Sequence, residues 1–346
     1  MLSTNVNLKS IALFTIAVGG LFLSVHYSLG DVKSIIDLPS LMVFISSPLV
    51  LKLNIYLIPK LPTLFDKIIN NNFKEITLMS GLSILCLGHF LLASGVGEPG
   101  GLENVWEGSS AAMLALIYSL IFIFLLLNTP ETSMNVDPDQ NCFGEIAIKK
   151  SPNFRFILSI VIAFLLYGFA LFIAFEGGAA GSPSDLAGNN LRYVILTLVI
   201  LALVAGKTGY FRYITSFKIL FYDKTGSYDI QKVCSAIKTA KRYHLYICTL
   251  YILMLIPSIA KSDIVGFYSI SANISLTMFK LGGIYFLLVV QDTLILQNSI
   301  IRNRFHHYKN ESNIFRIYIL IAIYFGFYSF YTLLNILRYL ISPEII

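Results

Sequence analysis

Long apolar runs recur along this chain and constrain its fold more than any other feature. Each run holds about 18 to 22 residues, the length that an α-helix needs to cross the hydrocarbon core of a bilayer. Charged residues make up only 13% of the sequence, too few to cover the water-facing surface of a soluble protein of this length. The pattern therefore predicts an all-α, polytopic integral membrane protein in contact with membrane lipids.

The runs predict about nine transmembrane helices. Eight runs are clear, and the eighth in chain order, Ser271–Val290, is weaker because Lys280 interrupts it. The first run follows a short basic segment like a secretory signal, but no convincing cleavage site follows it, so we interpret it as a helix. The clear runs are Ile11–Leu29, Leu38–Ile58, Ile76–Gly97, Ser109–Asn128, Phe156–Phe175, Tyr193–Phe211, Tyr243–Ala260 and Ile317–Leu337.

The positions of the basic residues predict the topology. If the N-terminus lies inside and the chain changes side at each span, most of the 25 Lys and Arg residues fall in inside loops. The outside loops then hold only Lys33, Arg192, Lys261 and Arg338, and Lys280 lies within a span. Cytoplasmic loops carry such an excess of basic residues. We therefore expect a protein of the cytoplasmic (inner) membrane with its N-terminus inside and its C-terminus outside.

The order of hairpins and loops repeats along the chain. Two hairpins flank a basic inside segment in spans one to four, and again in spans five to eight. An even number of spans in each unit makes such repeats parallel and not inverted. We expect a first four-span repeat at 1–130, a cytoplasmic linker at 131–155, a second repeat at 156–300, and a basic loop with the ninth span at 301–346.

No residue pattern in the sequence predicts catalysis, a metal site or a cofactor. Catalysis would require convergent carboxylates, a nucleophile with its base, or a cluster of metal ligands. The histidines are single, apart from His306-His307 in a basic loop, and the cysteines have no C-x-x-C spacing. The net charge of +6 does not indicate a nucleic-acid partner, because the basic residues are spread between the apolar runs. We expect a protein that is not an enzyme.

Lys280 is the strongest single anomaly in the apolar runs. A charged side chain within hydrocarbon costs at least ~2.5 kcal/mol, so it is expected to face the bundle interior, a partner helix or a water-filled cavity. Asn273 and Thr277 share its face at helical spacing. We interpret these three residues as a pore-facing or partner-facing stripe. The alternative is a span shifted toward the inside face, with Lys280 snorkelling to the interface.

Small residues form a second stripe, on the predicted fourth span. Gly108, Ala112, Ala115 and Ser119 recur at helical spacing, and small side chains allow a second helix to approach closely. We interpret this stripe as facing a pore or a partner, with helix packing as the simpler alternative.

Two segments carry a family likeness. Gly19-Gly20 precedes the segment from Ile36 to Val43, and a run of small residues leads into Tyr118-Ser119. These segments resemble the opening hairpin and the last span of the flagellar stator subunit MotA and its MotA/TolQ/ExbB relatives. The chain departs from that pattern because the family's pore-facing threonines correspond to Ala115 and Leu116. Its large cytoplasmic insert is also reduced to Leu53–Glu75.

The resemblance implies a subunit of an ion-driven motor or energy-transducing complex. Such a stator or proton channel is a ring of helices, built from oligomeric or fused copies, around a single-span partner with an intramembrane Asp. Two other functions stay open from the residues alone. The Asn273–Thr277–Lys280 face could line the route of a small-molecule or lipid transporter, or the chain could be a non-catalytic membrane scaffold.

Overall fold

The computed structural model of the protein describes five helices. They are α1 (Thr63–Gly95), α2 (Asn190–Thr208), α3 (Ile230–Lys261), α4 (Ile264–Ile301) and α5 (Ile314–Ile341). Residues 209 and 313 and single helical positions outside these helices are also described: 41, 42, 45, 113, 114, 117–119, 158, 161, 162, 165, 168 and 169.

The described part of the chain is helical apart from residues 209 and 313 and contains no strand, in agreement with the predicted all-α class. Among the described helices, four are long and apolar enough to cross a membrane, and these spans lie within α2 to α5: Leu191–Thr208, Val233–Ile259, Gly266–Thr293 and Ile314–Leu334. Helix α1 covers the predicted third span up to Gly95. The other predicted spans lie largely or wholly outside the described residues, so the count of nine and the two repeats stay predictions.

The local sequence explains why these segments are helical. Lipid offers no hydrogen bonds, so an apolar segment satisfies its backbone internally by forming a helix. Threonine hydroxyls within the helices bond to their own backbone, as Thr197 does to the carbonyl of Tyr193 (2.9 Å). Helix α2 ends at Thr208, and the next residue, Gly209, caps it with a φ of 86° and a hydrogen bond from its N–H to the Ala205 carbonyl.

Helix α4 packs along α1, and the two run antiparallel. Asn72 Nδ2 donates to Thr293 Oγ1 (2.7 Å) at one end, and Ser83 meets Gly282 nearer the middle of both helices. A Cβ atom built at Gly282 would overlap the Ser83 hydroxyl and lie 3.3 Å from its Cβ. A side chain at position 282 would therefore force Ser83 or the spacing of the two helices to shift.

Helices α3 and α5 complete the bundle. Helix α3 runs antiparallel to α4, because Lys241 pairs with Asp292 and Tyr251 meets Thr277. Helix α5 runs parallel to α1, since its start lies beside Glu75 and its middle beside His89. These are the relative directions that alternating third, seventh, eighth and ninth spans predict.

The bundle has an apolar exterior and a partly polar interior. Met254 and Phe315 are 75% and 74% exposed, whereas Glu75, Lys241 and Asp292 are buried. A soluble protein has the opposite distribution. Together with the length of the helices, this arrangement indicates a membrane protein whose polar groups are collected inside the bundle.

Candidate functional site

Three buried charged side chains meet where α1, α3 and α4 converge. Lys241 Nζ lies 2.8 Å from Glu75 Oε2 and 3.2 Å from Asp292 Oδ2, and all three side chains are at most 2% exposed. We call these residues the buried charge cluster. Charges removed from water are stable only when they are paired and hydrogen-bonded, and this ammonium bridges two carboxylates from different helices.

Glu75 connects all the helices around the cluster. Its Oε2 atom also accepts a hydrogen bond from the Tyr285 hydroxyl of α4 (3.0 Å). Its Oε1 atom accepts the backbone N–H of Asn313, at the start of α5 (2.8 Å). The side chain of Asn313 accepts a hydrogen bond from Arg316 (2.8 Å). One carboxylate on α1 therefore holds α3, α4 and α5.

Asp292 has unused capacity to accept hydrogen bonds. Its Oδ2 atom accepts from Lys241, but its buried Oδ1 atom has no hydrogen-bond partner among the described residues. Lys238, one turn before Lys241 and only half-buried, also interacts electrostatically with Asp292. The buried charge cluster itself holds two carboxylates and one ammonium. An unsatisfied carboxylate oxygen in such a set is a place where a cation or a proton can bind.

Polar side chains continue from the cluster along the interface between α1 and α4. They recur at helical spacing on both helices, so each set shares one face of its helix. We call them the polar seam. Its members are Asn72, Glu75, Ser83, Cys86 and His89 on α1, and Ser275, Gly282, Tyr285, Asp292 and Thr293 on α4, all of them buried.

His89 lies at the far end of the polar seam from the cluster. Its Nδ1 atom is 3.1 Å from the Tyr324 hydroxyl, which is 2.8 Å from Ser275 Oγ. Aromatic rings of α5 surround the imidazole, with centroids 4.4 Å (Tyr331) and 5.0 Å (Tyr328) from its own. The imidazole is fully buried.

His244, on α3, lies between the two ends. Its Nε2 atom is 2.6 Å from the backbone carbonyl oxygen of Leu281 on α4. Its ring centroid is 5.8 Å from that of Tyr285, which binds Glu75. His244 follows Lys241 by about one helical turn. Buried imidazoles thus extend the polar character of the bundle well beyond the three charges.

The predicted stripe on α4 faces helices other than α1. The Thr277 hydroxyl is 3.5 Å from that of Tyr251 on α3, and the ammonium of Lys280 is 6.0 Å from the ring centroid of Tyr193 on α2. Asn273 is partly buried on the same side of the helix. The structure therefore places the stripe against α2 and α3, and its role in a pore or toward a partner stays a prediction.

The predicted stripe on the fourth span is only partly described. Ser119 is helical and buried, whereas Gly108, Ala112 and Ala115 lie outside the described residues. Most of the stator-like opening hairpin also lies outside them.

The residues that the fold brings together carry no joint signal in the sequence. Lys241 is one of many basic residues predicted to lie inside, Glu75 ends the predicted inside segment, and His89 and His244 each stand alone. A usable signal existed in Asp292, an acid near the end of a very apolar helix of 38 residues, because carboxylates in such positions are rare.

Comparison with models of known protein families, with curated proteins and with solved structures found no match. The fold and the site therefore define the class of this protein. It is a helical membrane protein that holds a buried charge cluster and two buried histidines inside its bundle. The likeness to MotA stays a prediction.

Proposed function

We propose that this chain is the multi-span subunit of an ion-driven membrane complex of the MotA/TolQ/ExbB-like type, acting with a single-span partner in the cytoplasmic membrane. The observation that supports this proposal most is the buried charge cluster of Glu75, Lys241 and Asp292. Replacing a buried ion pair by apolar residues is often neutral or stabilising, so such a cluster is poorly explained by stability alone. Ionisable groups inside membrane proteins typically mark ion pathways.

The cluster has the composition of a cation site. Its two carboxylates exceed its one fully buried ammonium, and Asp292 Oδ1 has no described hydrogen-bond partner. A cation or proton on this oxygen balances the second buried carboxylate, and Lys238 also interacts electrostatically with Asp292. Lys241 holds the two carboxylates in place in both states. The cluster can thus gain and lose an ion without unpairing Glu75.

Ion flux measured with and without the Asp292 carboxylate tests the proposal. The chain is purified in mild detergent with any single-span protein that accompanies it, and is reconstituted in vesicles. A pH dye and a sodium dye report flux under an imposed potential. We expect flux in the wild type and at least a tenfold loss in Asp292→Asn. Lys261→Gln, which removes an exposed charge at the end of α3, is the matched control. Equal flux in Asp292→Asn and wild type would contradict the proposal.

A small-molecule or lipid transporter is the second candidate, and the position of Lys280 favours it. Its partly buried ammonium lies between α2 and α4, 6.0 Å from the centroid of the Tyr193 ring, where it could bind an anionic group. In this case Lys280→Met abolishes substrate-dependent uptake into vesicles and leaves ion flux without substrate at background. Ion flux in the absence of any substrate favours the first function.

A further inference from the structure

The hydrogen bonds at His89 determine which of its nitrogens carries a proton. The hydroxyl of Ser275 donates its single hydrogen to the Ser271 carbonyl (2.8 Å). With the Ser275 hydrogen so placed, Tyr324 donates to Ser275, and its own hydroxyl oxygen is left to accept from His89 Nδ1. Nδ1 is thus protonated in the neutral ring, and Nε2 carries a lone pair. This buried Nε2 atom has no hydrogen-bond partner among the described residues.

The same reasoning applies to His244. A backbone carbonyl only accepts, so His244 Nε2 donates to Leu281 O and His244 Nδ1 carries the lone pair. This Nδ1 atom is buried and, within the described helices, has no hydrogen-bond partner. His89 Nε2, His244 Nδ1 and Asp292 Oδ1 are therefore buried acceptor atoms on titratable side chains, each without a described donor. Each such atom is costly to bury.

The three acceptors are distributed along most of the thickness of a membrane. His89 follows Glu75 by fourteen residues, which is about 20 Å along a helix, against about 30 Å for a hydrocarbon core. His244 lies between them, at the level of Leu281 and so beside Gly282 and Ser83. Ser83 and Cys86 occupy the polar seam between that level and His89. The seam therefore offers exchangeable hydrogens over its whole length.

The chemistry of these acceptors suits a proton better than a metal cation. A hard metal cation needs several oxygen ligands at once, whereas a proton needs one lone pair. No group of three or more His, Cys, Asp or Glu side chains that could hold a metal ion occurs in the described part of the chain. At His89 the faces of aromatic rings can stabilise an imidazolium.

The ionisable neighbours of each acceptor differ. The groups around His89 are Cys86 of α1 and, on α5, Tyr324, Tyr328 and Tyr331. Tyr285 of α4 faces His244. The groups around Asp292 are Glu75 of α1 and Cys234, Lys238 and Lys241 of α3. Among the described residues, His89 forms no ion pair, so a proton there is not held by a carboxylate and can leave again.

We propose that a proton crosses within this chain, from Asp292 through His244 on α3 to His89, beside and along the polar seam. This inference rests on the proposed function, since it extends the path of the ion beyond the buried charge cluster. At His89 an N–H bond forms at Nε2 as the donor's own bond to that hydrogen breaks, and the ring becomes an imidazolium. The imidazolium passes a proton on when its Nδ1–H bond breaks and the hydrogen moves to the hydroxyl oxygen of Tyr324. The ring then returns to its neutral form.

Variants of His89 and His244 test the proposed proton path in the reconstituted complex. His89→Phe keeps an aromatic ring among Tyr328 and Tyr331 but cannot bind a proton. We expect it to lower proton flux at least tenfold with unchanged abundance in the vesicles, and His244→Phe to do the same. His307→Gln, in the basic loop outside the described residues, is the matched control and should conduct normally.

Two further measurements separate this inference from the proposed function. If proton flux is lost in Asp292→Asn but is normal in His89→Phe, the proposed proton path is wrong, whereas the cluster is still the ion site. If the complex conducts sodium but no protons, the proton path is likewise wrong and the cluster is still the ion site. Nitrogen NMR of ¹⁵N-histidine-labelled protein in the same vesicles should show His89 with a hydrogen on Nδ1 and none on Nε2 in the neutral state. A hydrogen on Nε2 overturns the inference even if the variants fail to fold.

Discussion

Lys241 Nζ lies 2.8 Å from Glu75 Oε2, and this ion pair joins α3 to α1 in a site that is at most 2% exposed. Lys241→Met should therefore leave two carboxylates buried without their ammonium. Breaking a buried pair in this way costs about 3–5 kcal/mol. We expect a much lower unfolding temperature in detergent and a lower abundance in the membrane, measured by thermal denaturation and by quantitative blotting.

A variant that removes all three charges of the cluster is the control for Lys241→Met. In the triple variant Glu75→Gln, Lys241→Met, Asp292→Asn no charge stays behind in the cluster, so most of the lost stability should return while ion flux stays absent. If the triple variant is as unstable as Lys241→Met, the damage comes from packing and not from an unpaired charge.

Tyr285→Phe should lower the free energy of unfolding while leaving all three charges of the cluster in place. The substitution removes one hydroxyl that donates to Glu75 Oε2 (3.0 Å), and a hydrogen bond to a charged group contributes about 1.5–3 kcal/mol. Tyr318→Phe, on the exposed side of α5, should change the free energy of unfolding by less than about 0.5 kcal/mol. Chemical denaturation of both variants in the same detergent measures the difference.

Gly282→Leu should separate α4 from α1. Any side chain at this position meets Ser83, and overpacking of this kind costs about 1–3 kcal/mol. Gly283 is exposed, with nothing within 4 Å of a built Cβ, so Gly283→Leu serves as the matched control. Disulfide crosslinking of cysteines introduced at Asn72 and Thr293 should become less efficient in Gly282→Leu only. Equal crosslinking in both variants would show that the helices accommodate the extra bulk.

The distribution of basic residues predicts which loops lie inside the cell. A reporter fused after Leu220 should read cytoplasmic, and one fused after Gly101 should read external. Alkaline phosphatase and green fluorescent protein fusions measure the two sides independently. A reversed result for either fusion would require a different number of spans before that point.

The helices were predictable from the sequence, whereas the site was not. Apolar runs such as Tyr243–Ala260 and Ile317–Leu337 are local properties of the chain, and helices form over both. Helix α3 begins well before its run, at Ile230, and its earlier turns also pack inside the bundle through residues such as Val233, Ile237 and Ala240. This is how Lys241 came to lie in the interior.

The site depends on side chains that are far apart in sequence. Periodicity shows that Asn273, Thr277 and Lys280 share a face, but it does not show which neighbouring helix that face meets. Glu75, Lys241 and Asp292 come together because of which helices are neighbours in the bundle. No local sequence pattern encodes that arrangement. Acids and histidines in apolar segments are therefore useful candidates even when each stands alone in the sequence.

Helix α5 begins on the carboxylate of Glu75. Asn313 donates its backbone N–H to Oε1 (2.8 Å), and its carbonyl oxygen accepts the first bond of the helix, from Ile317 (3.0 Å). The other oxygen of the same carboxylate holds Lys241. The substitution Glu75→Gln would therefore loosen the start of α5 as well as the ion pair, because a neutral side chain accepts from both donors less strongly. The position at which α5 begins is thus tied to the same carboxylate that neutralises Lys241.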